Sequence, residues 1–154
     1  MLASRPAVGA DAETTAIASF LSIGLANAPG NFQALLGAQI RSNAFGANYV
    51  ATQWPDHTHF AKCVAFSLRT DPASASYDWS YACTSTPRDE PGEALFKMAE
   101  AAVQANLPAG YISSGVQRAY NGAPYENWKR PGSPQLSLQL MTAKDGTSYY
   151  VLSI

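Results

Sequence analysis

One stretch near the start of the chain carries apolar residues at the spacing of a helix face. They recur at intervals of three and four residues, at Ile17, Phe20, Leu21, Gly24 and Leu25. That period lines one side of an α-helix and is typical of a face turned to the core. Asp11 is a good N-cap and Pro29 follows the stretch, so the sequence predicts a first helix from about Asp11 to Asn27.

A second stretch shows the same period in the middle of the chain. Its apolar positions are Leu95, Met98, Ala99, Ala102 and Val103. Pro91 and Glu93 mark a helix start, and Asn106 stands just before Pro108 at the other end. The sequence therefore predicts a second amphipathic helix that ends at Asn106.

The remaining apolar segments are short and favour β-strands. Leu136, Leu138 and Leu140 alternate strictly with polar residues, which indicates a strand with one buried face. The predicted strands cover residues 32–38, 47–54, 62–69, 77–85, 111–120, 136–142 and 148–154. The predicted fold class is α+β, with two amphipathic helices packed on one antiparallel sheet of about six or seven strands, in the order helix, strands, helix, strands.

The ends of the two predicted helices resemble each other. Ala26-Asn27-Ala28-Pro29 matches Ala105-Asn106-Leu107-Pro108 in three of its four residues. One interpretation is a weak internal duplication, and the other is that Asn and Pro are common helix stops. In either case we expect residues 1–154 to form one domain, in which residues 1–10 are a flexible or loosely packed arm.

The composition restricts the class of protein. Charged residues make up 14% of the 154 residues, well below the roughly 25% typical of globular domains. This low charge indicates a soluble, exported bacterial protein. The helical stripe, Pro29 and the acidic residues Asp11 and Glu13 argue against interpreting the apolar segment at 16–25 as a signal peptide, so no convincing signal peptide is expected in this chain.

Charge and hydropathy also exclude two kinds of partner. The net charge is −1, and the basic residues are scattered, whereas nucleic-acid binding needs several Lys or Arg on one face. No apolar run approaches the 18 or more residues of a membrane span. The order of the elements loosely resembles small bacterial chaperone-like and immunity-like domains, with no shared motif, and this likeness assigns no role to any residue.

Two cysteines lie on the predicted strands at 62–69 and 77–85. Cys63 and Cys83 are directly opposite if the hairpin is centred on Ala73, so a disulfide is within reach. However, placing Val64, Phe66 and Leu68 on the same face as Tyr77, Trp79 and Tyr81 would turn the cysteines to opposite faces. A disulfide would then need a β-bulge or a sheet buried on both sides. The alternative is a pair of buried free thiols.

Two segments are candidates for binding. In Asp56-His57-Thr58-His59, the two imidazoles and the carboxylate could bind Zn or another transition metal, although no further ligand is evident. The alternative interpretation is a polar turn between strands. In the segment 120–132, Tyr120, Tyr125 and Trp128 form an aromatic loop, and Trp54 could join it to bind a protein or a carbohydrate. The alternative there is a loop whose aromatic rings seal the core.

The common catalytic motifs are missing from the sequence. It contains no Walker loop, no Rossmann glycine fingerprint, no H-E-x-x-H, no C-x-x-C and no G-x-S-x-G. No cofactor is predicted, apart from the metal that the histidine segment could hold. The sequence thus favours a non-catalytic binding or protein-interaction domain over an enzyme. The alternatives are a metal-binding protein or metal-dependent enzyme, and a structural domain that self-associates as a homo-oligomer.

Overall fold

The fold consists of two helices and one antiparallel sheet. The structure is a computed structural model that describes residues 8–154, with side chains described from residue 11 onward. Helix α1 spans Val8–Asn27 and helix α2 spans Gly92–Asn106. The described chain contains nine strands, β1 to β9 in chain order: Leu36–Asn43, Gly46–Ala51, Phe60–Leu68, Asp78–Ser85, Ile112–Ser113, Gln117–Arg118, Pro124–Lys129, Leu136–Thr142 and Ser148–Ser153. The predicted α+β class with an antiparallel sheet is confirmed.

The sheet is built from two runs of sequential strands. Its order is β1-β2-β3-β4-β9-β8-β7, and the two short strands β5 and β6 both pair with β7 at the far edge. The last strand, β9, therefore lies inside the sheet, between β4 and β8. Each helix is followed along the chain by its own run of strands, and the two runs join where β4 pairs with β9.

Helix α1 buries the stripe that its sequence predicts. Ile17, Phe20 and Leu21 are buried in the core, within about one turn of one another. Gly24 continues the stripe, and a Cβ atom there would lie 2.5 Å from Cδ1 of Ile154, so glycine allows the helix to approach the sheet closely. The helix begins at Val8, earlier than the predicted Asp11, and residues 1–7 of the predicted arm lie outside the described residues.

Helix α2 has the predicted bounds, and it packs on β8, β9 and α1. The last residue of each helix is an asparagine whose side chain bonds back to the preceding turn. The side-chain amide of Asn27 donates to the carbonyl of Ile23 at 2.8 Å, and that of Asn106 donates to the carbonyl of Ala102, also at 2.8 Å. In both helices the side-chain amide thus bonds to the carbonyl four residues earlier. The similar sequences at 26–29 and 105–108 share this bond, although a 3-10 turn follows α1 and the extended residue Leu107 follows α2.

The predicted count of six or seven strands is wrong, for local reasons. Asn31 and Phe32 have left-handed φ angles of 53° and 58°, and a 3-10 turn follows, so the first strand begins only at Leu36. The predicted strand at 111–120 is interrupted and forms β5 and β6. Strand β7 lies in a segment that was predicted to be a loop. Its first residue is Pro124, and a strand tolerates a proline at its start.

The register of β3 against β4 places the two cysteines directly opposite each other. Their Cα atoms are 4.1 Å apart, and Cys63 and Cys83 form a disulfide. The pairing is continuous from Lys62 to Leu68, so no bulge is needed between the cysteines. Both are buried on the side of the sheet that the helices cover, which we call the core face.

The same register overturns one expectation about faces. The large apolar residues suggested an arrangement in which Val64, Phe66 and Leu68 share a face with Tyr77, Trp79 and Tyr81. They lie instead on the opposite side, which we call the open face, and the residues of β3 on the core face are small: Cys63, Ala65 and Ser67. Small side chains leave room for the Tyr81 ring, which is fully buried against the Phe20 ring of α1, with centroids 5.3 Å apart.

We predict that replacing both cysteines, in the variant Cys63→Ala/Cys83→Ala, lowers the free energy of unfolding by about 3 kcal/mol. The bridge joins residues 20 apart in sequence, and closing a loop of that length restricts the unfolded chain. Denaturant unfolding of the variant and of the oxidised protein measures the difference. Equal midpoints in the two proteins would contradict the prediction.

Candidate functional site

The open face of the sheet carries an unusual number of apolar side chains. Antiparallel sheets with one solvated face normally alternate apolar residues inside with polar residues outside. Here Val50 is 37% exposed and Leu68 is 52% exposed. Strand pairing places them beside further apolar residues, most of them half-buried, on the same face: Val64, Phe66, Ala82, Tyr125, Met141, Tyr149 and Val151. This surface was not predicted from the sequence, because Val64, Phe66 and Leu68 are the large apolar residues of β3 and such residues are typical of a buried face.

Basic residues surround the apolar part of the open face. Lys62 pairs with Thr84, Arg41 with Asn48, and Lys129 continues the row of Tyr125 on β7, so all three cations belong to this face. Among the described strand residues, Asp78 is the acidic residue at an open-face position. The open face therefore combines an apolar centre with an excess of positive charge.

A shallow depression of about 250 Å³ lies on the open face over β3, β4 and β9. Its lining includes Lys62, Thr84, Tyr149 and Val151. The ammonium group and the two hydroxyl groups, which lie beside an apolar wall, can donate hydrogen bonds to a carboxylate on an apolar segment. This depression places a cation directly beside the apolar part of the open face.

The four aromatic residues predicted to bind a partner are dispersed. Tyr120 is fully exposed, in the turn between β6 and β7, and Tyr125 is half-buried on the open face. Trp128 is only 2% exposed and packs in the core. Trp54 donates to the carbonyl of Phe60 at 3.3 Å, beside β3. The structure thus does not assemble the four rings into one surface, because successive residues of β7 point to opposite sides of the sheet.

The two histidines have different surroundings. The ring of His57 is exposed and stacks on Trp54, with ring centroids 4.5 Å apart, whereas His59 is buried. Asp56 accepts from the backbone amide and the hydroxyl of Thr58 at 2.8 and 2.7 Å, which closes the turn. Those two bonds hold the pKa of Asp56 below its usual range. No group of three or more His, Cys, Asp or Glu in the described residues could hold a metal, so the geometry gives the predicted metal site no support.

A buried polar cluster joins α1 to the sheet. Glu13 is fully buried, and its Oε1 lies 2.9 Å from Nε2 of His59 and accepts from the hydroxyl of Tyr150. Its other oxygen, Oε2, accepts from Nη1 of Arg88 at 2.7 Å. These four residues come from α1, the turn just before β3, the loop before α2, and β9. Both carboxylate oxygens are occupied within the protein, so the cluster stabilises the packing of α1.

The electrostatics of this cluster follow from its bonds. Burial raises the pKa of Glu13, but the hydrogen bonds from His59, Tyr150 and Arg88 outweigh burial and hold the pKa below its usual value. Burial and the neighbouring Glu13 carboxylate raise the pKa of Tyr150 far above its ordinary value. Glu13 is therefore an ionised carboxylate and Tyr150 a neutral hydroxyl donor throughout the neutral range.

A second buried carboxyl group lies between β7 and α2. Glu126 is 1% exposed, and its Oε2 accepts from the hydroxyl of Ser113 at 2.9 Å. Burial, together with a hydrogen bond to Glu100 and the charge of Glu100, raises the pKa of Glu126 to about 7, against opposing bonds from Ser113 and Gln104. The two carboxyl groups thus share a site in which one of them keeps its proton at mildly acidic pH.

Comparisons with known proteins identify no relative. The chain matches no protein-family model, and no match was found among the curated proteins or among the solved structures. Neither helix of the described chain combines the length and the apolar character that crossing a membrane requires.

We predict that Trp128→Ala lowers the free energy of unfolding by about 3–5 kcal/mol, because it removes a buried indole and leaves a cavity in the core. The matched control is Tyr120→Ala, which removes an exposed ring from a turn and should change the stability by less than about 0.5 kcal/mol. Denaturant unfolding of both variants measures the contrast. Similar effects of the two substitutions would show that Trp128 is not a core residue.

We predict that stability falls as the pH rises from about 5 to 8, on account of Glu126. The folded protein holds this proton up to a pH of about 7, whereas the unfolded chain releases it near the usual value of 4.5. The stabilisation that protonated Glu126 adds to the folded state is therefore complete below pH 4.5 and is lost as the pH passes 7. This stabilisation is on the order of 3 kcal/mol for a shift of this size.

The variant Glu126→Gln should remove this slope in unfolding free energy against pH, because a neutral amide replaces the group that titrates. The matched control is Glu93→Gln, at an exposed carboxylate of α2 that pairs with Arg118. It should leave the slope in place. A slope that survives in Glu126→Gln and disappears in Glu93→Gln would refute the assignment.

Proposed function

We propose that this protein is a non-catalytic protein-interaction domain of an exported bacterial protein, and that it binds its partner through the open face of the sheet. The observation that carries the proposal is the exposure of Val50 and Leu68 beside Phe66 and Val64 on one continuous surface. Apolar patches of this kind on a protein surface mark interaction sites. Covering Phe66 and Leu68 with a partner removes apolar area from water.

The placement of the ionisable residues supports a non-catalytic role. Glu13, His59, Arg88 and Tyr150 satisfy one another in the interior, where they hold α1 to the sheet. Glu126 faces α2 from within the core. An acid–base catalyst must reach a substrate proton, and side chains committed to internal bonds are poorly placed for that.

The charges on the open face favour a partner that carries acidic residues next to apolar ones. Lys62, Arg41 and Lys129 give this face an excess of positive charge over Asp78. A second copy of the chain that met this face with its own open face would bring like charges together, which opposes association. An acidic segment that also carries apolar residues would gain binding affinity both from the apolar centre and from the Lys62 ammonium group.

The disulfide supports the exported location. Cys63 and Cys83 are joined across β3 and β4, the last two strands of the first run. Disulfides form and persist in oxidising compartments and are rare in the cytosol. The bond also holds β3 and β4 in the register that turns Phe66 to the outside.

A random peptide library displayed on phage tests the binding face directly. Peptides selected on the immobilised protein should be rich in Asp and Glu next to apolar residues. They should bind the variant Phe66→Ser at least about tenfold more weakly, because aromatic anchors dominate such interfaces. The control variant is Tyr77→Ser, which removes an exposed aromatic ring that borders a pocket with Trp79 on the core face, and it should leave binding unchanged.

A second pair of variants changes charge without removing apolar contacts. Lys62→Glu reverses the cation in the depression of the open face and should weaken binding of the selected peptides, whereas Lys97→Glu, on an exposed position of α2, should not. Both lysines are exposed, so neither change is expected to unfold the protein. A library that yields no binder, or binders indifferent to both Phe66→Ser and Lys62→Glu, would refute the proposal. A dimer that dissociates in Phe66→Ser would assign the face to self-association instead.

A further inference from the structure

The largest cleft described on the molecule lies on the other side of the sheet. It has a volume of about 640 Å³, which is within the range of small-molecule sites. It opens between the segments that follow the two helices and the turn that joins β7 to β8. Pro29 and Pro108, which occupy matching places after Asn27 and Asn106, both line it.

The cleft is mainly apolar, with an aromatic wall. Phe32, Trp79 and Leu25 contribute the large apolar side chains, and Pro134 contributes part of the opposite side. The left-handed backbone at Asn31 and Phe32 turns the chain so that the Phe32 ring lies near that of Tyr81, with centroids 6.4 Å apart. The aromatic wall is thus held by the core behind it.

One cation lines the cleft, and the protein holds it firmly. Arg130 donates from Nε to the hydroxyl of Ser133 at 2.8 Å and from Nη1 to the carbonyl of Ala109 at 3.0 Å. Its guanidinium carbon lies 4.9 Å from the centre of the Tyr111 ring. The remaining nitrogen, Nη2, makes no hydrogen bond to any described residue. None of the described lining residues is acidic, so the charge of Arg130 is not neutralised within the cleft.

We propose that this cleft binds a small organic monoanion, a carboxylate attached to an aromatic or branched apolar body. The body packs against Trp79 and Phe32, and the carboxylate accepts from Nη2 of Arg130. A guanidinium fixed by two other bonds loses little side-chain entropy when it binds a carboxylate. This site is independent of the open face, because Trp79 and Phe32 lie on the core face.

The charge in the cleft selects the class of ligand. A single guanidinium matches one negative charge, whereas a doubly charged phosphate would call for more cations than the lining provides. A neutral apolar molecule would leave the donor at Nη2 without a partner in a partly desolvated site, which lowers affinity. The lining therefore favours a monocarboxylate over both.

The test compares phenylpropionate with its neutral counterpart phenylpropanol, by titration into isotopically labelled protein followed by NMR. Phenylpropionate should shift the amide resonances of Asn31, Phe32 and Ser133 and the indole resonance of Trp79. It should bind at least about tenfold more tightly than the alcohol, which cannot form a charge-assisted bond. Equal affinity for the two compounds, or shifts confined to other surfaces, would overturn the proposal.

Two variants and a control complete the test. Arg130→Gln should weaken phenylpropionate binding about tenfold while leaving the weak binding of phenylpropanol unchanged. Arg118→Gln removes a guanidinium paired with Glu93 on another surface and should change neither affinity. Ala28→Phe fills the cleft without removing a side-chain hydrogen bond, and should abolish both. Undiminished binding in Ala28→Phe, or equal losses in Arg130→Gln and Arg118→Gln, would refute the site.

Discussion

The register of β3 against β4 is the constraint on which the surfaces of this protein depend. It sets Cys63 opposite Cys83 and Ala65 opposite Tyr81 on the core face. Small residues on β3 accommodate the Tyr81 ring, whose hydroxyl donates to the carbonyl of Gln53 at 3.1 Å. Because side chains alternate along a strand, the same register turns Val64, Phe66 and Leu68 outward. A shift of one residue would bury those three side chains and separate the cysteines, so the disulfide selects the arrangement with an apolar open face.

The helices and the closing hairpin could be predicted from the sequence, because their patterns are local. A helical stripe such as Ile17, Phe20 and Leu21 carries its own period, and Leu136–Thr142 alternates without interruption. Strand β7 could not be found in this way. The segment that contains β7 also contains Gly122, Pro124 and Pro131, which are typical of loops. The strand forms because it pairs with β8, whose residues lie outside that segment. Likewise, Phe32 is an aromatic residue that favours a strand, but its left-handed backbone places it in a turn before β1.

Little of the candidate sites could be predicted, since their residues are brought together by long-range pairing. The Glu13 cluster joins positions that are up to 137 residues apart. One local signal did exist, because Glu13 lies four residues before Ile17 and continues the buried stripe of α1. A carboxylate on such a stripe must find partners in the interior. On β3, the alternation of Cys63, Ala65 and Ser67 with larger residues admits two choices of buried face, and only the partner strand decides between them.

The two proposed surfaces share β4 but contact opposite sides of it. Trp79 faces the cleft, and its neighbours Ser80 and Ala82 belong to the open face. Communication between such surfaces requires an element with two stable arrangements. The ladder of β3 and β4 offers one arrangement, since the disulfide fixes its register and the Tyr81 ring fills the space behind it. The Cys63–Cys83 bridge and the packing of Tyr81 therefore hold this part of the sheet in one arrangement. We accordingly expect the proposed monoanion in the cleft and the proposed partner on the open face to bind without affecting each other.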